Sequence, residues 1–200
     1  MNIAILASGN GSNFEAIVRA QKNKFFSGRV KLLITDNKNA FVRTRARRHG
    51  VVDVFIDPQA YTSRRDFDRH VAAVLKKEKI GFVILAGYMR VLSADFVRSF
   101  AGRVINIHPA ILPSFRGTGS IKRAYEYGCK VTGVTVHFVD EKVDNGPIIL
   151  QDVVEINQGM SLEELERKVH KLEHKLYPQA IKLLLSNKVT IKGRRVQIRR

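Results

Sequence analysis

Asn2-Ile3-Ala4-Ile5-Leu6-Ala7 followed by Ser8-Gly9-Asn10-Gly11-Ser12-Asn13 is the stretch that decides the fold. The first segment is an uninterrupted apolar run, which is how a strand buried on both faces reads. The second is a glycine turn, and a helical pattern from Phe14 to about Gln21 follows it. Ser12 or Asn13 is expected to cap that helix. Glycines let a ligand approach the backbone closely, and a helix N-terminus offers unpaired N–H groups to an anion. A single phosphate suits such a loop. A dinucleotide fingerprint would need a third glycine where Phe14 stands, so the NAD reading is weak, although Asp36 sits where a ribose-binding acid would.

Strand and helix signals go on alternating. Strands are predicted at Arg29–Thr35, Val51–Ile56, Gly81–Leu85 and Gly102–Ile107, with helices at Ala40–His49, from Ser63 through Lys79, and near Ala94–Phe100. The helix after Ser63 presents Phe67, Val71, Val74 and Leu75 on one face. This alternation predicts a parallel sheet. After Pro109 the pattern changes. A loop at 111–119 leads to a helix from Ser120 to Tyr127, and Val131–Val139 and Pro147–Ile156 read as a hairpin around a short loop. Ser161 with Glu164 forms a capping-box pattern ahead of a long helix to about Leu185, in which Pro178 predicts a kink or break. A terminal hairpin is predicted around Lys192-Gly193-Arg194. The fold class is therefore α/β, a Rossmann-like mixed sheet with a parallel N-terminal part, antiparallel C-terminal strands and helices on both faces. The 200 residues show no repeat and no linker, and fit one domain.

Composition excludes some classes. One cysteine, Cys129, forms no internal disulfide, which fits a reducing cytoplasmic compartment. The apolar N-terminus is too short to span a membrane and lacks a basic leader region. The net charge of +17 raises nucleic acid as a partner. Two basic clusters stand out, Arg43–Arg48 and the tail Lys192–Arg200, but no aromatics interleave with them and no nucleic-acid motif appears. A generally basic surface is the preferred reading. Metal is not expected, because neither H-E-x-x-H nor C-x-x-C spacing occurs.

Three stretches carry chemistry. The phosphate loop is the first. The second, Gly87-Tyr88-Met89-Arg90-Val91-Leu92, can line a pocket for a flat ligand, or can be ordinary core. The third is Asn106-Ile107-His108-Pro109, at the end of a strand. Alternation puts Asn106 and His108 on one face, and proline stops the strand. Ligands of open α/β sheets bind at the carboxyl ends of strands. An amide and an imidazole, joined by a carboxylate from the Asp140–Gly146 loop that would raise the imidazole pKa, can stabilise an oxyanion and move a proton, as acyl transfer requires. No Ser or Cys nucleophile stands beside them, which favours direct attack by a substrate amine. His49, His70, His137 and His170 read as structural.

Taken in order, Gly9–Asn13, Leu85–Arg90, Asn106–Pro109 with Leu112-Pro113, Gly133–Asp140, Val143–Ile149 and Glu173–Pro178 resemble the folate-dependent phosphoribosylglycinamide formyltransferases of purine synthesis, from Met1 to about Lys192. The resemblance implies a co-substrate, 10-formyltetrahydrofolate, and a second small molecule, glycinamide ribonucleotide. It divides the single domain into a phosphate-binding half, 1–105, and a catalytic and folate-binding half, 106–200. Gly11, Ser12 and Asn13 would hold the phosphate, Glu173 the ribose hydroxyls, and Arg64 and Pro109 would contact substrate. Arg64, Met89, Arg90, Val91, Leu92, Asn106, Asp140, Glu141, Val143 and Asp144 would hold the folate. Asn106, His108 and Asp144 would be catalytic, with Asn106 and His108 donating to the oxyanion and Asp144 orienting and charging His108.

One region departs from the family. Arg116 stands where many relatives have Pro, and Gly119 where they have His, which brings the segment closer to methionyl-tRNA formyltransferases. A tRNA substrate is disfavoured because only a short tail follows Pro178, and the phosphate loop and Glu173 would have no purpose. Hydrolysis of formyltetrahydrofolate is disfavoured because that family usually carries an N-terminal regulatory domain. A basic RNA-binding module would leave Asn106, His108 and Asp144 without a role. The sequence leaves monomer and homodimer both open, and predicts a cytoplasmic, membrane-free protein.

Overall fold

The computed structural model describes residues 1–186 and 188–199; Arg200, the last residue of the basic tail, lies outside the described residues. The chain forms two compact units, Met1–Ile105 and Asn106–Arg200.

The first unit holds β1 (Asn2–Leu6), α1 (Ser12–Lys22), β2 (Arg29–Thr35), α2 (Val42–His49), β3 (Val52–Phe55), α3 (Arg64–Lys77), β4 (Phe82–Leu85) and α4 (Ala94–Ser99). Its strands lie in the order β3-β2-β1-β4, with parallel pairing throughout. Ile3, Ala4, Ile5 and Leu6 are wholly buried, as the unbroken apolar run predicts. Each fully buried Ile or Leu contributes about 1.5–3 kcal/mol. Three of the four predicted core residues of α3 are buried, but Val74 is only half-buried and Asp68 joins the buried face, accepting the Ser93 N–H through Oδ2 at 2.5 Å. Ser63 caps α3 as expected, accepting the N–H of Asp66.

β5 (Val104–His108) begins at the end of the first unit and ends in the second, which also holds α5 (Ser120–Glu126), β6 (Val131–Phe138), β7 (Ile148–Glu155), α6 (Leu162–Leu185), β8 (Val189–Lys192) and β9 (Arg195–Ile198), with strand order β5-β6-β7-β9-β8. β6 and β7 pair antiparallel, and so do β8 and β9, while β9 meets β7 in parallel through Ile148 and Arg195. The expected mixed sheet, parallel early and antiparallel late, is thus present. The Ser161–Glu164 capping box is made in full. Pro178 does not break α6, which runs unbroken from Leu162 to Leu185 with the proline buried. Burial of Leu165, Val169, Leu176, Tyr177, Ala180, Ile181 and Leu184 outweighs the one helical hydrogen bond that proline removes. No helix among the described residues is long and apolar enough to cross a membrane.

Gly133 shows how closely β6 and β7 approach. A Cβ there would stand 2.1 Å from the Asp152 carbonyl oxygen and 2.5 Å from Ile111 Cδ1. Gly133→Ala is expected to lower stability by about 1–3 kcal/mol, as overpacking does. A denaturant midpoint unchanged from the parent would show that this contact can relax.

Candidate active site

β5 delivers Asn106 and His108 on the same face at its end, and β6, its neighbour in the sheet, delivers His137. The loop after β6 supplies Asp144, held in the left-handed region at φ 46°. That conformation costs a non-glycine residue about 1–3 kcal/mol and persists only where surrounding contacts impose it. Here they do. Asp144 Oδ2 accepts the Gly117 N–H at 2.8 Å and lies 3.3 Å from His108 Nδ1. Its Oδ1 accepts from Asn106 Nδ2 at 3.3 Å and lies 3.6 Å from His137 Nε2. On the far side of the loop, Asn145 Nδ2 donates to Asp140 Oδ2 at 2.7 Å, and Arg194 of the terminal hairpin donates to the Asn145 carbonyl at 2.6 Å.

The protons follow from the partners. His108 Nε2 lies 2.9 Å from the Phe115 carbonyl, which can only accept, so Nε2 carries hydrogen. Arg123 grips the same carbonyl at 2.9 Å and so fixes where it points. His137 Nδ1 donates to the Phe138 carbonyl at 2.7 Å, which leaves Nε2 to accept from Asn106 Nδ2 at 3.4 Å. Both bonds from Asn106 are long, so a stronger acceptor such as an oxyanion can claim its N–H groups.

The electrostatics divide the pair. Burial alone would raise the Asp144 carboxyl, but the neighbouring His137, the hydrogen bond from the Gly117 N–H and His108 together hold it at about 2. It is a carboxylate at neutral pH. For His108 burial is the largest influence and lowers its pKa; Asp144 and the Phe115 carbonyl oppose this without reversing it. Asp144 thus pulls the His108 pKa upward, as expected, while desolvation of the nearly buried ring pulls it down and is the larger influence. The Asp144 carboxylate lies against His108 Nδ1, in place to accept a proton from it.

The other predicted residues lie as follows. Gly11 precedes α1 in the left-handed conformation, and neither Ser12 nor Asn13 caps the helix, because both are inside it. No side-chain cap covers this end of α1, and a helix N-terminus favours an anion. Ser8 draws two strand ends together, donating its N–H to the Gly87 carbonyl and accepting the Met89 N–H at 3.0 Å. Met89 and Val91 are exposed at 67% and 47%, too exposed for core residues, while Leu92 is buried. Arg90 lies 4.7 Å from the centre of the Phe67 ring on α3, whose first residue is the exposed Arg64. In the second unit Val143 is 48% exposed, Asp140 caps its own loop by accepting the Lys142 N–H, and the Pro109 carbonyl accepts from Ser120. Glu141 is exposed. Glu173 is buried on α6 and accepts from His170 Nδ1 at 2.8 Å, which raises the His170 pKa.

His137 and His170 were expected to be structural, and each meets a predicted site residue. The sequence signal for His137 was its place on the Thr135 face of a strand, which acquires meaning only once β6 lies beside β5.

Fold and site together define an α/β group transferase, with a paired amide and imidazole facing a fixed carboxylate suited to chemistry at an acyl carbon. The formyl transferase family matches residues 1–181, and the chain belongs to that family. It is 41% identical to the phosphoribosylglycinamide formyltransferase of Bacillus subtilis, over 91% of this chain and 93% of that protein. It is 38% identical to the trifunctional purine biosynthetic protein adenosine-3 of Gallus gallus, over 96% of this chain and 19% of that protein. Among solved structures it resembles glycinamide ribonucleotide transformylase 1 of Symbiobacterium toebii, with a TM-score of 0.98 and 42% identity, covering 100% of this chain and 94% of that one.

Proposed function

We propose that the chain transfers the formyl group of 10-formyltetrahydrofolate to the amine of 5'-phosphoribosylglycinamide, giving 5'-phosphoribosyl-N-formylglycinamide in purine synthesis. The observation that carries this reading is the placing of the Asp144 carboxylate within reach of both Asn106 and His108. The amine attacks the formyl carbon and forms the new C–N bond. Negative charge develops on the formyl oxygen, where Asn106 Nδ2 donates and where the His108 Nε2–H turns from the Phe115 carbonyl to donate as well. The bond to N10 of the folate then breaks, and the amine proton passes to the departing nitrogen with Asp144 and His108 as the relay. No covalent enzyme intermediate is needed. Gly11, Ser12 and Asn13 hold the phosphate, Glu173 the ribose hydroxyls, and Pro109 lies against the substrate. Arg64, Met89, Arg90, Val91, Leu92, Asp140, Glu141 and Val143 receive the folate. We read 1–105 as the phosphate-binding half and 106–200 as the catalytic and folate-binding half. We read the protein as cytoplasmic, with small-molecule substrates and no nucleic-acid substrate.

The purified chain, supplied with 10-formyltetrahydrofolate, is expected to formylate glycinamide ribonucleotide and to leave charged initiator tRNA unformylated. Release of formate with water alone should be slower by orders of magnitude. Formylation of the tRNA but not of the ribonucleotide would sink the proposal.

A further inference from the structure

The cluster Arg43–Arg48 read as part of a generally basic surface, yet Arg43, Arg45 and Arg47 are engaged. Arg43 and Arg47 pair with Asp53. Arg45 turns the other way, toward the loop after β1. Its Nε donates to the Asn10 carbonyl at 3.0 Å, its Nη2 to Asn10 Oδ1 at 3.0 Å, and its Nη1 to Glu15 Oε2 at 3.2 Å. One guanidinium thus holds both amide oxygens of a loop residue and a carboxylate in the first turn of α1. α2 meets the loop a second time at Val42, whose N–H donates to the Gly9 carbonyl at 3.1 Å. Val42 also fills the space a Cβ on Gly11 would need, 2.4 Å from its Cγ2.

Glu15 creates the problem that Arg45 answers. A carboxylate in the first turn of a helix is favourable to the helix but repels a phosphate bound at the same end. Glu15 is ionised: burial would raise its pKa, but hydrogen bonds from His49, Arg19 and Arg45 bring it down to about 2. Arg19 is exposed at 71% of its side chain, whereas the Arg45 side chain is only 22% exposed and is fixed by three bonds. A planar fork so held is worth more than a solvated cation.

We propose that Arg45 is a positioning residue for the substrate phosphate: it clamps Asn10 so that the Gly11–Asn13 N–H groups converge, and it cancels the Glu15 charge that would otherwise repel the anion. The inference rests on the reading of Gly11–Asn13 as the phosphate site.

The test uses the full chain, with ribonucleotide affinity measured calorimetrically and KM measured for each substrate. Arg45→Ala should raise the Kd and KM for the ribonucleotide about tenfold, the effect of losing hydrogen bonds to a charged group, with the folate KM and kcat nearly unchanged. Arg45→Lys should fall between the two. Adding Glu15→Gln to Arg45→Ala should restore part of the lost affinity, which a purely structural role for Arg45 would not allow. Ser12→Asp, which puts a carboxylate where the phosphate would sit, tests the underlying reading. If Ser12→Asp abolishes ribonucleotide binding while Arg45→Ala leaves it intact, the role of Arg45 is overturned and the phosphate site stands. If Ser12→Asp binds normally, both fall. If Arg45→Ala lowers kcat and the affinities for both substrates alike, with no rescue by Glu15→Gln, the specific role is likewise overturned.

Discussion

Replacing Asn106 by Ala is expected to lower kcat by about a hundredfold or more while leaving folate affinity near that of the parent, as loss of one oxyanion donor does. The reason lies in the geometry. Asn106 Nδ2 is within 3.3 Å of Asp144 and 3.4 Å of His137, at the edge of hydrogen-bond length, so its N–H groups are only loosely committed before the reaction. Charge that appears on the formyl oxygen meets a donor already oriented by two acceptors behind it. Ground-state binding makes little use of that donor, so the loss should fall on turnover and not on affinity. Single-turnover kinetics with saturating folate would isolate the effect, and a variant within about threefold of the parent would fall short of any oxyanion role.

Asp144→Asn should cost at least as much, about a hundredfold to a thousandfold in kcat, because it removes the proton acceptor while keeping the shape. The substitution has two independent signatures. In the parent, the His108 resonance should titrate below the ordinary histidine value, since burial lowers its pKa and Asp144 only partly restores it. In Asp144→Asn that partial restoration is lost, so the His108 midpoint should move lower still. An unchanged midpoint by NMR would mean that the two groups are not coupled. The second signature is acid stability. The folded Asp144 has a pKa of about 2, below its unfolded value, so it contributes stability that is present above the unfolded pKa and fades as the pH falls toward 2. The parent should therefore lose stability between about pH 4 and pH 2 more steeply than Asp144→Asn.

Much of the architecture could be read along the chain. The apolar runs, glycine turns and Ser caps placed β1 through α4 within a residue or two of their observed ends, because these signals are local. Two local expectations failed for non-local reasons. Pro178 did not break α6, since a buried helical face outweighs one missing bond. Ser12 and Asn13 did not cap α1, since Gly11 turns the chain and the packing against Val42 fixes that turn.

The site divides in the same way. That Asn106 and His108 share a face followed from strand alternation alone, and the resemblance of the surrounding motifs pointed to formyl transfer. The position of Asp144 did not follow from spacing. It depends on a strained φ held by Gly117 N–H and by Asp140 and Arg194 through Asn145. Nor did the sequence show that His137 meets Asn106, that the Phe115 carbonyl fixes the His108 proton, or that Arg45 reaches across to Asn10. The sequence by itself determined which elements form and which residue types stand at the ends of the strands, because propensity and alternation act over a few neighbouring residues. Which of those side chains meet, and the charge each carries when they do, was decided only by tertiary structure, because pairing and desolvation depend on residues tens of positions apart.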